Sequence, residues 1–425
     1  MTPAENVRLP KASRTATWGL IATLAALSAV AGDPAGAAPA QKIVDGVPHI
    51  MNGAKPEQGV QSLKLQERWR AGAGESDEVF GLILRVELDE QGNVYLLDGQ
   101  LSHAVVFAPD GRQLRVLGRE GEGPGEVRRP SDMLLMPDGS VGLVQTFPGK
   151  IIKVSRTGEP AGVFEIGGAD PAKGGFNVLV EANCAGGNLV LAGQRITQTQ
   201  TGNARVLFLA SFDSEGREKV RYVEKTVELD LTKPAISEKA FSFVYPGRWD
   251  VAPDGRVWVA PERNRYAIHV HAPDGKLEQV IEREFTSRPR TAEEKDRVMR
   301  VLEAQVRGAP VKFDLSCEET AEDIEQVLCV PDGSVWVMSS RGSRNQPPGV
   351  FATYDVFDAQ GTFVRQAAVQ CPGDAEMDGL LPTGDGHFVM ITNFVGAAMA
   401  LQGAAGKDEG EEGAPMEIIY YGVSQ

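Results

Sequence analysis

Arginines recur in the segments that separate the apolar, strand-like stretches of this sequence. A guanidinium presents several N–H donors in one plane, so it can bind a carboxylate, a sulfate or an acidic sugar through paired hydrogen bonds. The ligand-binding candidates, with the aromatic residues near them, are Arg119, Arg195, Tyr245, Arg248, Trp249, Arg263, Arg265, Arg341 and Arg344. The alternative is structural, because guanidinium groups also bond the carbonyls and carboxylates of neighbouring elements and aromatic rings also fill cores.

The stretch LGREGEGPGEVRRPSDM, residues 117–133, has the glycine content of a phosphate-binding loop. Such loops work because their glycines lead into a helix N-terminus, whose free N–H groups meet the anion. No helical pattern follows Gly125, and the sequence contains no G-K-S or G-K-T. We therefore predict a tight connection between two strands, with glycines at positive φ.

Patterns typical of enzymes and metal sites are sparse. The sequence has neither G-x-S-x-G nor H-E-x-x-H, and it has only five histidines. His269 and His271 share one side of a predicted strand, a spacing that suits metal ligands, but that strand is predicted to lie away from the centre of the fold. Packing or surface roles are favoured for both, and no cofactor is predicted.

The elements that must position these residues repeat along the chain. In each repeat a short strand ends in a tight glycine turn and an alternating apolar strand follows. The turn glycines are Gly92, Gly139, Gly187, Gly255, Gly333 and Gly386. A second turn follows most of them, which predicts four-stranded antiparallel meanders. Such units at a period of about 40 to 50 residues are typical of β-propeller blades.

Counting the repeats gives six units, and the sixth lacks its fourth strand. The segment LKLQERWRAG, residues 63–72, is a strand with no other partner. We therefore predict an all-β, six-bladed β-propeller over residues 61–425, in which this N-terminal strand closes the last blade and removes two sheet edges. Residues 41–60 are predicted to be an N-terminal extension.

The stretch GNVYLLD…VVFAPDGRQLRVLGREGEGPGEVRRPSDM resembles the NHL-type repeat, and more closely an exported bacterial six-bladed β-propeller family. That family commonly carries G-R-x-G-E-G-P-G-E between its first two blades. The resemblance covers residues 47–423 and implies the propeller fold, although the third repeat departs from it with CAGGN. Six-bladed propellers also host lactonase-like hydrolases and metal-dependent lyases, so a metal-dependent enzyme is the alternative to a binding module.

The hairpin pattern places the longer connections together on one face of the propeller, here called the long-loop face. Its segments are 118–130, 227–248, 284–323, 339–349 and 394–415. The largest insertion, about 286–323, contains a predicted helix over 293–306 that begins with a capping box of Thr291 and Glu294. Two roles are compatible with this helix: a lid packed on the long-loop face, or a gate over the central channel. Cys317 and Cys371 flank the fifth unit on the same face and are the candidate disulfide pair.

Side chains at the centre of the propeller can be predicted by counting seven residues back from each turn glycine. The count gives Arg85, Asp132, Val180, Arg248, Gln326 and Gly379. A shift of one residue would bring in Glu325 or Asp378. With two arginines against one aspartate, this ring is a poor calcium site, because Ca²⁺ needs several oxygen ligands at one level.

The whole-chain composition limits the partners. Lys and Arg number 43 against 58 Asp and Glu, a net charge of −15 that disfavours nucleic acid. Basic residues, an apolar run to about residue 31 and small residues through Ala40 predict a signal peptide over 1–40, hence export and no membrane span after processing. We predict a monomeric, non-catalytic module that binds a protein, a small molecule or a glycan, with an anionic ligand on the long-loop face.

Overall fold

The chain folds mainly into short antiparallel strands, as the repeated glycine turns predict. The computed structural model describes residues 38–72, 79–168, 172, 175–383, 386–401, 403 and 416–424. The six predicted turn glycines have φ between +75° and +85°, a conformation in which an L side chain is strained. Nearly all of the predicted signal peptide lies outside the described residues. None of the helices in the described part of the chain is long and apolar enough to cross a membrane.

The first half of the described chain contains three N-terminal strands and three four-stranded units. The N-terminal strands are β1 (Ala40–Val44), β2 (Val47–Asn52) and β3 (Val60–Ala71). Unit A consists of β4 (Ile83–Leu88), β5 (Val94–Asp98), β6 (His103–Phe107) and β7 (Gln113–Leu117). Unit B consists of β8 (Pro130–Leu135), β9 (Val141–Gln145), β10 (Lys150–Val154) and β11 (Pro160–Glu165). Unit C consists of β12 (Phe176–Ala185), β13 (Asn188–Gln198), β14 (Gly202–Phe212) and β15 (Glu218–Asp230).

The second half adds further units and the helices. After unit C come β16 (Ala235–Ser237) and α1 (Glu238–Phe241). Unit D consists of β17 (Trp249–Val251), β18 (Val257–Val259), β19 (Ala267–His271) and β20 (Leu277–Arg283). Next come α2 (Ala292–Gln305) and β21 (Asp314–Ser316). Unit E consists of β22 (Ile324–Cys329), β23 (Val335–Ser339), β24 (Ala352–Phe357) and β25 (Phe363–Gln370). The chain continues with β26 (Gly379–Pro382), β27 (His387–Ile391), α3 (Phe394–Leu401) and β28 (Ile418–Val423).

The strand predicted to close the last unit does so. β28 pairs with β27 on one side and with the second half of β3 on the other, in antiparallel register with Ile418 opposite Ala71. Unit F therefore consists of β26, β27, β28 and residues 65–71 of β3. The pairing joins the N-terminal and C-terminal parts of the chain in one sheet.

The N-terminal segment also covers the outer edges of two further units. β1 and β2 form a hairpin, and β2 pairs in parallel with β20, with His49 opposite Val280. The first half of β3 pairs in parallel with β25, with Val60 opposite Gln366. Repeat counting predicted only an extension at 41–60, although Asp45-Gly46 is a hairpin turn signal between β1 and β2. These strands protect edges that would otherwise present unpaired N–H and C=O groups.

Apolar clusters join each unit to the next and return from unit F to unit A. Representative pairs, from A–B onward, are Leu97 with Leu143, Ile151 with Leu191, Leu209 with Val259, Trp258 with Val337, Tyr354 with Phe388 and Leu96 with Val389. Burial of these side chains between units is the main favourable contribution to folding. The protein is an all-β chain with the β-propeller fold, as predicted.

The glycine-rich stretch connects β7 to β8 without a helix, as predicted. Gly118, Gly121 and Gly125 have positive φ. The loop folds over the carboxylate of Glu126, which accepts hydrogen bonds from the Gly123 N–H and from the Arg119 side chain, each 2.8 Å long. A Cβ on Gly121 would lie 2.0 Å from Oε2 of Glu126, so the loop closes only with glycine there.

A small additional layer, here called the cap, lies on the long-loop face. It consists of β16 and α1 together with α2 and β21, and β16 pairs in parallel with β21. The cap has its own apolar cluster, in which Val298 and Leu302 of α2 pack against Leu229 and Ile236. The predicted helix and its capping box are confirmed. The prediction of a single helical insertion was incomplete, because α3 also lies on this face.

Candidate functional site

The first strand of each unit lies nearest the propeller axis, and most of these strands contain a β-bulge. In units A, B, C and E the strand register shifts just before the side chains of Arg85, Asp132, Glu181 and Gln326. A bulge places one extra residue in a strand and re-aims the residues beside it. The recurrent bulge thus brings charged side chains of units A, B and C toward one another.

Arg85 is the cation at the centre of this group. Its guanidinium lies 2.7 Å from Oε1 of Glu87 and 3.6 Å from Oδ1 of Asp132. The side chain of Arg85 is 29% exposed, to the channel, although protein surrounds it. Burial alone would lower the pKa of Arg85, but Glu87, Asp132 and Asp250 together raise it above its ordinary value. Arg85 therefore stays protonated and attracts carboxylates from units A, B and D.

Three carboxylates, those of Asp132, Glu181 and Asp250, are here called the channel carboxylates, and each also bonds the backbone beyond its own unit. Asp132 of unit B accepts from the Ala182 N–H of unit C at 2.8 Å, and Asp250 of unit D accepts from the Cys329 N–H of unit E at 2.7 Å. Charge-assisted hydrogen bonds of this kind are stronger than neutral ones. These carboxylates therefore tie neighbouring inner strands together.

Glu181 makes the equivalent tie between units C and D. Its two oxygens accept from the Gly247 N–H at 2.9 Å and from Nε1 of Trp249 at 2.7 Å. Burial, and then the charge of Asp132, raise the pKa of Glu181 to about 7. Burial likewise raises the pKa values of Asp132 and Asp250 to about 6, although Arg85 opposes the shift. The channel carboxyl groups therefore titrate near neutral pH.

The count placed Arg85, Asp132 and Gln326 correctly, each directly after the bulge of its strand, and missed the ring residues of units C and D. In unit C the ring residue is Glu181 rather than Val180, because the hairpin turn is one residue shorter there: four residues separate the paired Cys184 and Leu189, against five in the equivalent turn of unit A. In unit D it is Asp250, because Arg248 lies under the cap, 3.3 Å from Glu322. Glu325, the extra residue of the bulge in unit E, is exposed.

Asp378, the alternative for unit F, instead bonds backbone N–H groups of its own loop, those of Asp374 and Asn393. Over the described ranges, no group of three or more His, Cys, Asp or Glu side chains has the geometry of a metal site. The four cysteines are free thiols, so the Cys317–Cys371 disulfide is not formed in this structure. Cys317 follows β21 in the cap, whereas Cys371 packs in the apolar cluster between units E and F.

Three of the candidate ligand-binding arginines attach the cap. Arg248 and Arg263 are 2% and 8% exposed, and both lie near Glu322, with Arg263 also 3.0 Å from Glu238. Arg344 lies 3.3 Å from Glu294, the residue of the capping box. These three arginines hold the cap in place, whereas the sequence predicted that they bind a ligand at the surface. The prediction failed because their acidic partners are brought to them only by the tertiary structure.

The aromatic candidates divide in the same way. Trp249 is 5% exposed and packs between units C and D, so it belongs to the core. Tyr245 is half-buried and packs its ring edge-on against Phe243, with 5.3 Å between the ring centres. Tyr245 is therefore the aromatic candidate that keeps an accessible side chain.

The remaining candidate arginines are more accessible. Arg119 pairs with Glu126 and Arg265 pairs with Glu262 and Glu282, so their charges are matched. Arg195 lies 3.6 Å from Glu218 and over the ring of Phe208.

Arg341 is exposed and donates to the Thr286 carbonyl at 2.9 Å, with its guanidinium over the ring of Phe285. It makes no ion pair within 4 Å among the described residues, although its charge is close enough to Asp323 to oppose the rise in the pKa of that carboxyl group.

Two cations of this face were missed by sequence reasoning. Arg205 and Lys225 lie in strands β14 and β15, whereas the search considered mainly residues in or beside long loops. Both are half-buried, and burial lowers the pKa of each. The signal that could have found them is a charged residue on the apolar side of an alternating strand.

The raised carboxyl pKa values predict a pH effect on stability. A carboxyl group with a higher pKa in the folded chain than in the unfolded chain stabilises the fold at low pH, and this stabilisation is lost as the pH rises through the folded pKa. Replacing Glu181 by glutamine removes the titration. We expect the melting temperature of Glu181→Gln, relative to wild type, to rise steadily between about pH 5 and about pH 8.

The melting temperature of the variant is compared with that of wild type at each pH, because buried histidines change the stability with pH in the opposite direction. Burial lowers the pKa of His269 to about 4, so protonation of the unfolded chain destabilises the protein as the pH falls. Glu90→Gln, which removes an exposed carboxylate, is the control for loss of charge. A melting-temperature difference for Glu181→Gln that stays constant with pH would contradict the raised pKa.

Comparisons with known proteins agree with the architecture only. No protein-family model matches the sequence, and a search of curated proteins found no match. A member of the DUF4221 family from Bacteroides vulgatus is 12% identical with a TM-score of 0.44, over 85% of this chain and 97% of that chain.

Two further solved structures give similar values. Regucalcin, a calcium-binding protein from Agrobacterium tumefaciens, is 10% identical with a TM-score of 0.40, over 86% of this chain and 97% of that chain. Virginiamycin B lyase from Staphylococcus aureus is 12% identical with a TM-score of 0.36, over 77% of this chain and 85% of that chain. Likenesses at this level carry no argument about what this chain binds or catalyses.

Proposed function

We propose that the protein is an exported, non-catalytic binding module whose six four-stranded units are the blades of a closed ring. Its ligand is anionic, in the first place an anionic glycan, and binds on the long-loop face. Export is supported by the order of basic, apolar and small residues at the N-terminus. The observation that carries the binding proposal is that Arg129 and Arg341 are exposed on this face and make no ion pair among the described residues, although the chain has a net charge of −15.

The choice of the long-loop face is supported by a contrast between charged groups that have partners within the protein and exposed arginines that make no ion pair. The channel carboxylates are committed to Arg85 and to backbone N–H groups, and the buried arginines are committed to the cap. By contrast, Arg129 and Arg341 are exposed and make no ion pair among the described residues. Exposed cations on a rigid scaffold attract anions and orient them as they approach.

Titration of the mature chain, residues 41–425, with polyanionic and neutral polysaccharides tests the proposal. Polygalacturonate and chondroitin sulfate should bind, neutral galactan should not, and affinity should fall as salt rises from about 50 to about 300 mM. Arg341→Glu should weaken binding, because it reverses a charge on the long-loop face. The matched control is Arg112→Glu, an exposed arginine in a short turn on the opposite face.

Two results would contradict the proposal. Equal weakening by Arg112→Glu and Arg341→Glu would mean that total charge, rather than this face, determines binding. Absence of any salt-dependent binding to either polyanion would refute an anionic ligand.

A further inference from the structure

Arg205 is a guanidinium that contacts the cap through one aromatic ring but forms no ion pair among the described residues. It lies on β14, opposite Val227 of β15, on the side of unit C that faces unit D. Its Nε donates to Oδ1 of Asn203 at 3.0 Å, and its guanidinium lies 5.5 Å from the ring centre of Phe241. Neither terminal nitrogen has a hydrogen bond or a carboxylate partner in the described part of the chain. Arg205 is thus held in place while its charge stays unmatched.

Lys225 is the cation diagonal to Arg205 on the same side of the sheet. Leu207 lies opposite Lys225, two residues along β14 from Arg205. The ammonium donates to the carbonyls of Lys239 and Ser242, both at 2.8 Å. Carbonyl oxygens orient an ammonium group but do not cancel its charge. Burial lowers the pKa of Lys225, and the neighbouring charges of Arg248 and Lys239 lower it further.

Tyr245 supplies a hydroxyl and a partly exposed ring beside these cations. The charge of Arg205 acts on the Tyr245 hydroxyl, although burial raises the pKa of this group above its ordinary value. Over the described ranges, the hydroxyl has no hydrogen-bond partner. Glu181 is the acidic group whose charge acts on Tyr245, and its carboxyl group already bonds the Gly247 N–H and Trp249. Arg205 and Lys225 make no ion pair among the described residues.

We propose that Arg205, Lys225 and Tyr245 form the anion subsite of the long-loop face, and that this subsite binds the carboxylate of an acidic sugar. The proposal rests on the function proposed above and names its site. The planar guanidinium of Arg205 matches a carboxylate in a bidentate geometry, and the ammonium of Lys225 adds a second charge-assisted bond. An aromatic ring that is partly exposed offers an apolar surface to the C–H face of a sugar ring.

Calorimetric titration of the mature chain with tetragalacturonate tests the subsite. The fully methyl-esterified tetramer, which has the same sugar rings without charge, is the ligand control. We expect Arg205→Gln to weaken binding of tetragalacturonate at least about tenfold, because a bidentate charged contact is lost. Its melting temperature should stay close to wild type, because the guanidinium has no ion pair to lose.

The matched protein control is Arg221→Gln. Arg221 lies on the neighbouring strand β15 and carries the same charge, but it is paired with Glu218 and Glu224. Removing it changes the net charge equally and should leave the affinity for tetragalacturonate within about twofold of wild type. Equal affinities of Arg205→Gln and wild type would overturn the subsite.

The remaining outcomes separate the subsite from the general function. If wild type binds tetragalacturonate and only Arg341→Glu weakens that binding, the anion lies elsewhere on the long-loop face and the proposed function stands. If wild type binds chondroitin sulfate but binds neither tetragalacturonate nor desulfated chondroitin, which keeps its glucuronate carboxylates, the carboxylate assignment is wrong. If the methyl-esterified tetramer binds as tightly as the acid, the charge of the ligand is irrelevant and both proposals fail.

Discussion

Replacing Trp69 by alanine should lower the free energy of unfolding by about 3–5 kcal/mol. Trp69 belongs to β3, and its ring stacks between Phe107 of unit A and Tyr420 of unit F, with centre distances of 5.4 and 5.1 Å. The ring is 8% exposed. Its removal leaves a cavity at the position where the N-terminal and C-terminal parts of the chain meet. Urea unfolding followed by circular dichroism measures the effect.

Two variants make the result specific to closure. Trp69→Phe keeps an aromatic ring in the stack and removes an indole N–H that is buried without a hydrogen-bond partner, so its loss should be smaller. Phe147→Ala removes an aromatic side chain that is 61% exposed and should change stability by less than about 0.5 kcal/mol.

Deletion of residues 63–72 should abolish cooperative unfolding. An unchanged melting transition in that deletion would show that the ring does not depend on β3.

The second large effect is expected at Glu238, the residue at which the cap and unit D meet. Its Oε1 lies 3.0 Å from Nη2 of Arg263, and Oε2 lies 2.6 Å from Nη1 of Arg290. Oε2 also accepts from the Glu318 N–H at 2.8 Å. Burial would raise the pKa of Glu238, but these partners lower it below its ordinary value. The carboxylate therefore remains ionised between two arginines that are themselves buried.

Glu238→Ala should destabilise attachment of the cap by about 3–5 kcal/mol, because removing one partner leaves buried charges without compensation. Amide hydrogen exchange in α2 should accelerate, while exchange in the core strands of units A and B should change little. Glu319→Ala is the control, since that carboxylate is 82% exposed and pairs only with Lys295. If exchange in α2 is the same in Glu238→Ala and wild type, the ion pairs do not hold the cap.

The same reasoning separates two arginines that the sequence treats alike. Arg263→Ala should lower the melting temperature, because Arg263 is buried against Glu238 and the carbonyl of Thr320. Arg341→Ala should leave the melting temperature close to wild type, because Arg341 is exposed and makes no ion pair among the described residues. Sequence alone cannot make this distinction, because the partners of Arg263 lie 25 and 57 residues away.

The amino-acid sequence by itself determined the local structure of this protein. A glycine at each hairpin turn, an apolar strand after it and a capping box before α2 act through neighbouring residues, so their pattern can be read directly. The closing strand could also be predicted, since one strand was missing and one was unpaired. For the candidate site, the count from the turns found Arg85, Asp132 and Gln326, because these three units share the same turn length and the same bulge position.

Only the tertiary structure determined which charged side chains are paired within the protein and which make no ion pair among the described residues. In unit C the ring position falls on Glu181 rather than Val180, because the turn between β12 and β13 is one residue shorter than the equivalent turn of unit A. Contacts between distant segments bury Arg248 and leave Arg205 without a carboxylate. Local periodicity carries no information about such contacts, because the free energy of a charged side chain depends on partners brought to it by the whole fold.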